Sequence, residues 1–222
     1  YLETTDFSQG LEVYLESLKN HHQLIFMSTK LRGKGTMEQT AEEEVGNENR
    51  LDVFVKPYEQ TYKWSCGPVA LRSLIRYVSG IKLTEQDMVL LTGATEGGSD
   101  EYNLMRALDA LGFRYTQSEN GTFNRLKKHL QDGQPSIVHL VMNDGGGHYM
   151  IFSGYDEENV RLADPATGKM IKYGIPFFLG IWKVEEGESQ TRWYLSITGR
   201  GPDKFDSLIQ RIKRISKKVR KT

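Results

Sequence analysis

Cysteine, proline and long apolar runs are all scarce in this chain of 222 residues. It has one cysteine, so no disulfide can form within the chain, and a small secreted scaffold held together by disulfides is excluded. No run approaches the roughly 18 apolar residues that a membrane-spanning helix requires. With six prolines and 38% hydrophobic residues, the composition is that of a soluble globular protein.

The chain also has no net excess of positive or negative charge. Lys and Arg number 29, as do Asp and Glu, so the average charge favours neither a nucleic-acid partner nor an acidic tail. A chain with one cysteine suits a reducing compartment, and we therefore expect a cytoplasmic location. The first residue is Tyr1 rather than Met, so a processed and secreted chain remains an alternative.

Local composition divides the chain into three parts. Residues 37–50 are acidic and poor in apolar side chains, which is typical of a solvated linker or an exposed helix. We therefore predict an N-terminal extension with an acidic linker over residues 1–50 and a main domain over residues 51–200. The last part, residues 201–222, has a composition of its own.

This C-terminal part is predicted to be a basic amphipathic helix. Between Asp203 and Thr222 there are eight basic residues against two acidic ones, a net charge of +6. Apolar residues recur among them at helical spacing. Such a helix can lie on an anionic membrane surface, bind nucleic acid or dock on the acidic remainder of its own chain, and we expect docking or contact with a protein partner.

The only cysteine, Cys66, lies where an irregular loop is predicted to become a helix. Pro68 suits a first helical turn, and apolar residues recur at helical spacing until Gly80 ends the helix. A helix N-terminus presents unpaired N–H groups and the positive end of the dipole, which favour a thiolate. Cys66 is therefore a candidate nucleophile. The alternative interpretation is a small buried apolar residue, as free cysteines often are.

His148 and Asp164 are the candidate partners of this thiol. A nucleophilic thiolate needs a base to take its proton, and the base needs a third group that orients it. His148 opens the apolar run 148–155, and Asp164 ends the strand-like run 159–164. If residues 155–159 connect a hairpin, the two strands are antiparallel and their side chains lie at the same end. We therefore predict contact between His148 and Asp164.

These residues form a pattern that resembles a known family. Gln60 precedes Cys66-Gly67-Pro68 by six residues, a histidine follows about eighty residues later, and the motif D-P-A-T-G begins at Asp164. Over roughly residues 52–184 the pattern resembles the bacteriocin-leader (double-glycine) peptidases, a family of papain-like cysteine peptidases. The resemblance implies that Cys66 is the nucleophile, His148 the base and Asp164 its orienter, and that Gln60 lines the oxyanion hole.

Apolar periodicity predicts an α+β fold. Helices are expected between the cysteine and His148: one capped by Thr84, one capped by Ser99 and one over residues 123–131. Strands are expected over 136–142, 148–155, 160–163, 169–173 and 193–198. The predicted domain is a helical part with the cysteine helix, packed on an antiparallel sheet that carries His148 and Asp164. This is the papain-like layout, with the site between the two layers.

The resemblance implies a cysteine peptidase that hydrolyses a peptide bond in a peptide or protein substrate through a Cys66 thioester, without cofactor or metal. We expect a stand-alone enzyme, because this sequence has neither the membrane spans nor the ATPase that usually follow such a domain in the family. Two alternatives remain. One is another thiol acyl-transfer enzyme, an amidase or transpeptidase, and the other is a catalytically silent binding module that acts through the C-terminal helix.

Overall fold

The computed structural model describes residues 50–186 and 189–200, and it describes no side chains for residues 184–190 and 200. All of these residues belong to one compact unit, 47–222. The predicted basic helix over 201–222 lies outside the described residues, as does all but Arg50 of the predicted N-terminal extension. Within the described ranges, no helix is long and apolar enough to cross a membrane.

Five helices are present in the described part of the chain. They begin at the polar or proline-containing positions that satisfy a helix N-terminus, and three of them end at a glycine with positive φ. The helices are α1 (Cys66–Ser79), α2 (Glu85–Thr92), α3 (Glu101–Leu111), α4 (Phe123–Gln131) and α5 (Ile175–Ile181).

The starts of the four predicted helices agree with the structure with one exception, and α5 was not predicted. Thr84 is the predicted N-cap of α2, and it forms a reciprocal capping box with Asp87. For α3, however, the N-cap is Asp100, whose side chain accepts from the Asn103 N–H at 2.7 Å. The prediction of Ser99 as this cap was wrong. The Ser99 hydroxyl is instead buried against α1, where a Cβ on Gly67 would lie 2.5 Å from it.

An antiparallel sheet forms the centre of the domain. The strands of the domain are β1 (Leu51–Asp52), β2 (Phe113–Ser118), β3 (Ser136–Val141), β4 (Gly147–Tyr155), β5 (Asn159–Asp164), β6 (Lys169–Gly174), β7 (Val184–Glu186), β8 (Ser189–Thr191) and β9 (Tyr194–Arg200). In the central sheet they run in the order β2-β9-β3-β4-β5-β6, and β1 pairs with β4. A separate two-stranded sheet pairs β7 with β8.

The predicted hairpin between β4 and β5 is confirmed. The two strands are antiparallel neighbours, with Ile151 opposite Ala163. Asp156 closes the connection by accepting from the Asn159 N–H at 2.8 Å. The first residues of β4 and the last residue of β5 therefore lie at the same end of the sheet, which is where His148 and Asp164 are.

Helices cover both faces of this sheet, and each face has its own apolar core. On one face, side chains of α1, α2 and α3 pack on Ile137, Ile151 and other alternate strand residues. On the opposite face, α4 and α5 pack on Val138, Phe152 and their neighbours. The α+β class and the packing of the cysteine helix on the sheet are as predicted. The second helical layer was not predicted, and it buries the sheet completely at its centre.

Candidate active site

Cys66 is the first residue of α1 and lies where that helix meets β4. The following residue approaches its neighbours so closely that only glycine fits. A Cβ on Gly67 would lie 2.5 Å from the Ser99 hydroxyl and 3.1 Å from the Tyr149 ring. The backbone N–H groups of Tyr149, in β4, and of Gly67 lie close enough to the Cys66 thiol to lower its pKa.

His148 lies beside both the thiol and Asp164. Its Nε2 lies 2.7 Å from Asp164 Oδ1, and its ring is close enough to Cys66 to lower the pKa of the thiol. Since Nε2 is engaged by the carboxylate, Nδ1 is the nitrogen left for the thiol. The side chains of His148 and Asp164 are 14% and 5% exposed, so solvent screens this pair weakly.

The carboxylate of Asp164 is held by the turn that follows it. Oδ1 accepts from the Ala166 N–H at 2.9 Å, and Oδ2 accepts from the Thr167 hydroxyl at 2.7 Å. Gly168 then closes the turn with φ of 62°, and a Cβ at this position would lie 2.8 Å from the Glu59 Cβ. The motif D-P-A-T-G thus fixes the Asp164 carboxylate and also packs beside the loop that precedes Cys66.

These contacts set the protonation of the three groups. Burial raises the pKa of Asp164, but hydrogen bonds from His148, Thr167 and Ala166 outweigh it and hold that pKa below its usual value. Burial likewise opposes the charge on His148, yet its hydrogen bonds to Asp164 and Cys66 raise its pKa from 6.5 to about 9.

The pKa of the Cys66 thiol is shifted in the opposite direction to that of His148, downward. Burial raises the pKa of Cys66, but the hydrogen bond from His148, the Tyr149 N–H and the imidazolium charge together bring it below its usual 9.0. A raised histidine pKa and a lowered thiol pKa favour a thiolate–imidazolium pair at neutral pH. In general, a thiolate is the nucleophilic form of a cysteine, and an imidazolium can donate a proton.

Gln60 lies in the loop formed by residues 60–65, which leads into α1. Its backbone N–H donates to the Pro165 carbonyl at 2.8 Å, so this loop is tied to the turn after Asp164. Its side-chain Nε2 donates to the carbonyl oxygens of Tyr62 and Lys63, at 2.9 and 3.0 Å. Oε1 is buried and has no partner among the described residues. In this arrangement both amide hydrogens of Gln60 are used within its own loop.

The family can now be assigned. A family model described as "Peptidase_C39 like family" matches residues 53–190, which is more than half of the chain. The chain belongs to this family. The match contains all four residues singled out from the sequence, and it includes most of the described domain.

Curated relatives of this C39-like chain include proteins of very different length. An uncharacterized protein of Methanothermobacter thermautotrophicus is 32% identical over 111 residues, covering 50% of this chain and 72% of the relative. A lactococcin transport/processing ATP-binding protein LcnC-like from Lactococcus lactis subsp. lactis is 29% identical over 126 residues. That match covers 55% of this chain and only 17% of the relative.

Among solved structures, the peptidase domain of Streptococcus ComA, a bi-functional ABC transporter involved in a quorum sensing pathway, matches with a TM-score of 0.52. The match covers 64% of this chain and 96% of that domain at 19% identity. At this level of identity the likeness shows that the fold is shared. The double-glycine peptidase resemblance and the predicted fold are therefore confirmed.

The other histidines of the C39-like domain have structural partners. His139 Nδ1 lies 2.6 Å from Glu101 Oε1, and its ring stacks on Tyr149. His129 Nδ1 lies 3.1 Å from Gln134 Oε1. Within the part of the chain that the structure describes, no group of three or more histidine, cysteine, aspartate or glutamate side chains is arranged to hold a metal ion.

One side chain in contact with the site was missed by the sequence analysis. Glu85, the first residue of α2, reaches across to the 60–65 loop and accepts from Thr61, Tyr62 and Ser65. By position Glu85 is an acidic residue in a first helical turn, and Asp87 already accounts for such a residue in the capping box. Its contact with a loop 24 residues earlier cannot be inferred from local sequence.

Proposed function

We propose that this chain is a cysteine peptidase in which Cys66 is the nucleophile, His148 the acid and base, and Asp164 the residue that orients His148. The observation that carries this proposal is that His148 Nε2 lies 2.7 Å from the buried Asp164 carboxylate while the His148 ring interacts with the Cys66 thiol, lowering its pKa. A histidine with a purely structural role is not expected to have a buried carboxylate on one side and a thiol on the other, whereas a catalytic base is.

The proposed reaction has two stages. The Cys66 thiolate attacks the carbonyl carbon of a peptide bond, and the displaced electron pair moves to the carbonyl oxygen. His148 gives its proton to the leaving amine, which leaves a thioester on Cys66. The neutral His148 imidazole then takes a proton from water as the water oxygen attacks the thioester carbon. The carbon–sulfur bond breaks, which releases the carboxylic acid and regenerates the Cys66 thiolate beside the His148 imidazolium. Asp164 keeps the imidazole oriented and favours its charged form throughout.

The oxyanion of each stage needs donors that are aimed at it before reaction. We propose the Gln60 amide and the Cys66 N–H, because the first N–H groups of a helix lack acceptors within the helix. Gln60 can contribute only if one of its two donations, to Tyr62 or Lys63, is exchanged for the oxyanion. This exchange is part of the proposal, and removing such a donor typically lowers the turnover rate about 10²- to 10³-fold.

We propose a peptide that carries a leader segment as the substrate class. The support is that the LcnC-like relative is named as a transport and processing protein, and the ComA neighbour as a peptidase domain. The proposed chemistry is the same whether or not further segments accompany this chain.

A peptide library that contains Gly-Gly sequences tests the function. The native chain should cleave a subset of its members, and Cys66→Ala should cleave none. Added glycinamide separates hydrolysis from acyl transfer, because a transpeptidase would join it to the new C-terminus. No cleavage by the native chain across the library would contradict the proposal, and products that carry glycinamide would replace hydrolysis with transfer.

A further inference from the structure

The 60–65 loop has little apolar packing that could fix its shape. Thr61, Tyr62 and Lys63 are exposed, and the Tyr62 ring stacks only on its neighbour Trp64, with ring centroids 5.0 Å apart. Exposed backbone without buried side chains is ordinarily mobile. The positions of Gln60 at one end and the Cys66 N–H at the other therefore depend on hydrogen bonds.

Glu85 accepts most of the hydrogen bonds that reach this loop from outside it. Both of its carboxylate oxygens lie 2.9 Å from the Thr61 nitrogen, and Oε1 lies 3.2 Å from the Tyr62 nitrogen. The same Oε1 is 2.5 Å from the Ser65 hydroxyl. One carboxylate thus gathers two consecutive backbone N–H groups and the hydroxyl of the residue that immediately precedes Cys66.

The Ser65 hydroxyl has one proton and two nearby acceptors, Glu85 Oε1 and the Tyr62 carbonyl at 2.8 Å. The Tyr62 carbonyl already accepts from the Ser65 N–H and from Gln60 Nε2. The proton therefore goes to the carboxylate, in a short charge-assisted bond. Ser65 is fully buried, so losing this partner would leave a polar group without solvent.

The Glu85 carboxylate is charged when it makes these bonds. Burial raises its pKa, but the hydrogen bonds from Ser65, Thr61 and Tyr62 outweigh that effect and lower it below the usual value. Its own helix does not need it, since Asp87 already accepts from Thr84 in the capping box. The arrangement of Glu85 serves the loop, not the helix that carries it.

We propose that Glu85 is a positioning residue that holds the 60–65 loop in the shape that places Gln60 and the Cys66 N–H around the oxyanion. The inference rests on the proposed cysteine peptidase function. Glu85 touches neither Cys66 nor His148 in the contacts described above, so it acts on the oxyanion donors and not on the thiolate–imidazolium pair. When the Gln60 amide donates to the oxyanion in place of a loop carbonyl, the hydrogen bonds to Glu85 still hold the loop in its bent conformation.

Hydrogen exchange tests the position of the loop without any ligand. In Glu85→Gln the Thr61 and Tyr62 amides should exchange at least about tenfold faster, because each loses a charged acceptor. Asp87→Asn is the matched control, since it removes a carboxylate from the same helical turn without touching the loop. Equal protection of the two amides in the native chain and Glu85→Gln would overturn the inference.

Two thiol probes then separate positioning from nucleophilicity. Iodoacetamide reports the thiolate alone, because its alkylation forms no oxyanion. Acetyl-Gly-Gly-aldehyde adds the Cys66 sulfur to its carbonyl carbon, and its oxygen takes the negative charge and then a proton in the oxyanion site. In Glu85→Gln the aldehyde should bind about a hundredfold more weakly, as for loss of one oxyanion donor. The pH profile of iodoacetamide labelling should stay native.

The outcomes distinguish this inference from the function on which it rests. Equal aldehyde affinity in the native chain, Glu85→Gln and Asp87→Asn would overturn the positioning role while the peptidase proposal stands. Weaker aldehyde binding with an altered iodoacetamide profile would place Glu85 on the thiolate instead, which also overturns the inference. If native Cys66 labels no faster than in His148→Ala, the proposed function fails and the inference with it.

Discussion

Replacing Asp164 with asparagine should lower the pKa of His148 while leaving the fold in place. Asparagine keeps the size of the side chain and an oxygen acceptor, but it removes the negative charge that now lies 2.7 Å from Nε2. The pKa of His148 is raised from 6.5 to about 9, and the hydrogen bond to Asp164 is the largest of the effects that raise it.

The size of the effect follows from that difference. At 1.36 kcal/mol per pKa unit, the rise from 6.5 to about 9 corresponds to about 3 kcal/mol in favour of the imidazolium. Asp164 and Cys66 share this stabilisation. Removing the Asp164 charge should therefore return at least about a third of it, which lowers the pKa of His148 by about one or more. The pKa of Cys66 should rise in response, because its imidazolium partner is then less stable.

NMR of the imidazole nitrogens, recorded across pH, measures the pKa of His148 in the native chain and in Asp164→Asn. The chain has five histidines, so the signal of His148 is assigned by its loss in His148→Gln. His139→Gln is a suitable control, because that histidine pairs with Glu101 and not with the thiol. A native His148 that titrates near 6.5, or an unchanged titration in Asp164→Asn, would refute the reasoning.

Three further predictions concern stability, each measured by urea unfolding. Gly67→Ala should lose about 1–3 kcal/mol, because its Cβ would lie 2.5 Å from the Ser99 hydroxyl, and unchanged stability would contradict the close approach. Leu74 is fully buried, so Leu74→Ala should lower the free energy of unfolding by about 2–5 kcal/mol. Leu90 is 49% exposed, so Leu90→Ala should lower it by less than about 1 kcal/mol. Similar losses in the two variants would contradict the assigned core. The folded pKa of His148 lies above its unfolded value, so its stabilisation is complete below pH 6.5 and lost as pH rises through about 9. The native chain should accordingly be more stable than His148→Gln at pH 6, and this difference should disappear at pH 10. A stability difference that does not change with pH would contradict the raised pKa of His148.

The predictable part of the fold is local. The boundaries of α4 and the start of α2 follow from caps and apolar spacing within about ten residues. The hairpin that joins His148 to Asp164 follows from alternation and a polar turn, so the contact between these two residues was predictable. The cysteine helix was predictable for the same reason, since Pro68 and Gly80 mark its first turn and its end.

Other features depend on contacts between distant residues, and they were missed. The strand β2 (Phe113–Ser118) begins directly after the glycine that ends α3, and it is stabilised by pairing with β9 about eighty residues later. Helix α5 (Ile175–Ile181) has seven residues, too few for a periodic pattern to be recognised. Glu85 meets its loop across 24 residues, and no local pattern distinguishes it from an ordinary first-turn acid.

The side-chain conformation of Gln60 could not be predicted from the sequence, for a different reason. Its spacing from Cys66 identified the residue, but the spacing carries no information about the side-chain rotamer. In the structure its amide donates to Tyr62 and Lys63 within the loop. Gln60→Ala therefore removes a loop contact as well as the proposed oxyanion donor, and Glu85→Gln is the change that separates the two.

The rate of Cys66 alkylation by iodoacetamide, followed from about pH 5 to pH 10, tests the central claim most directly. If Cys66 and His148 form a thiolate–imidazolium pair, the native rate should reach half its maximum at a pH below the usual pKa of a thiol. In His148→Ala that midpoint should return to or above the usual value, because burial then acts without a compensating charge. Superimposable profiles of the two chains, both with the midpoint of a free thiol, would contradict the account.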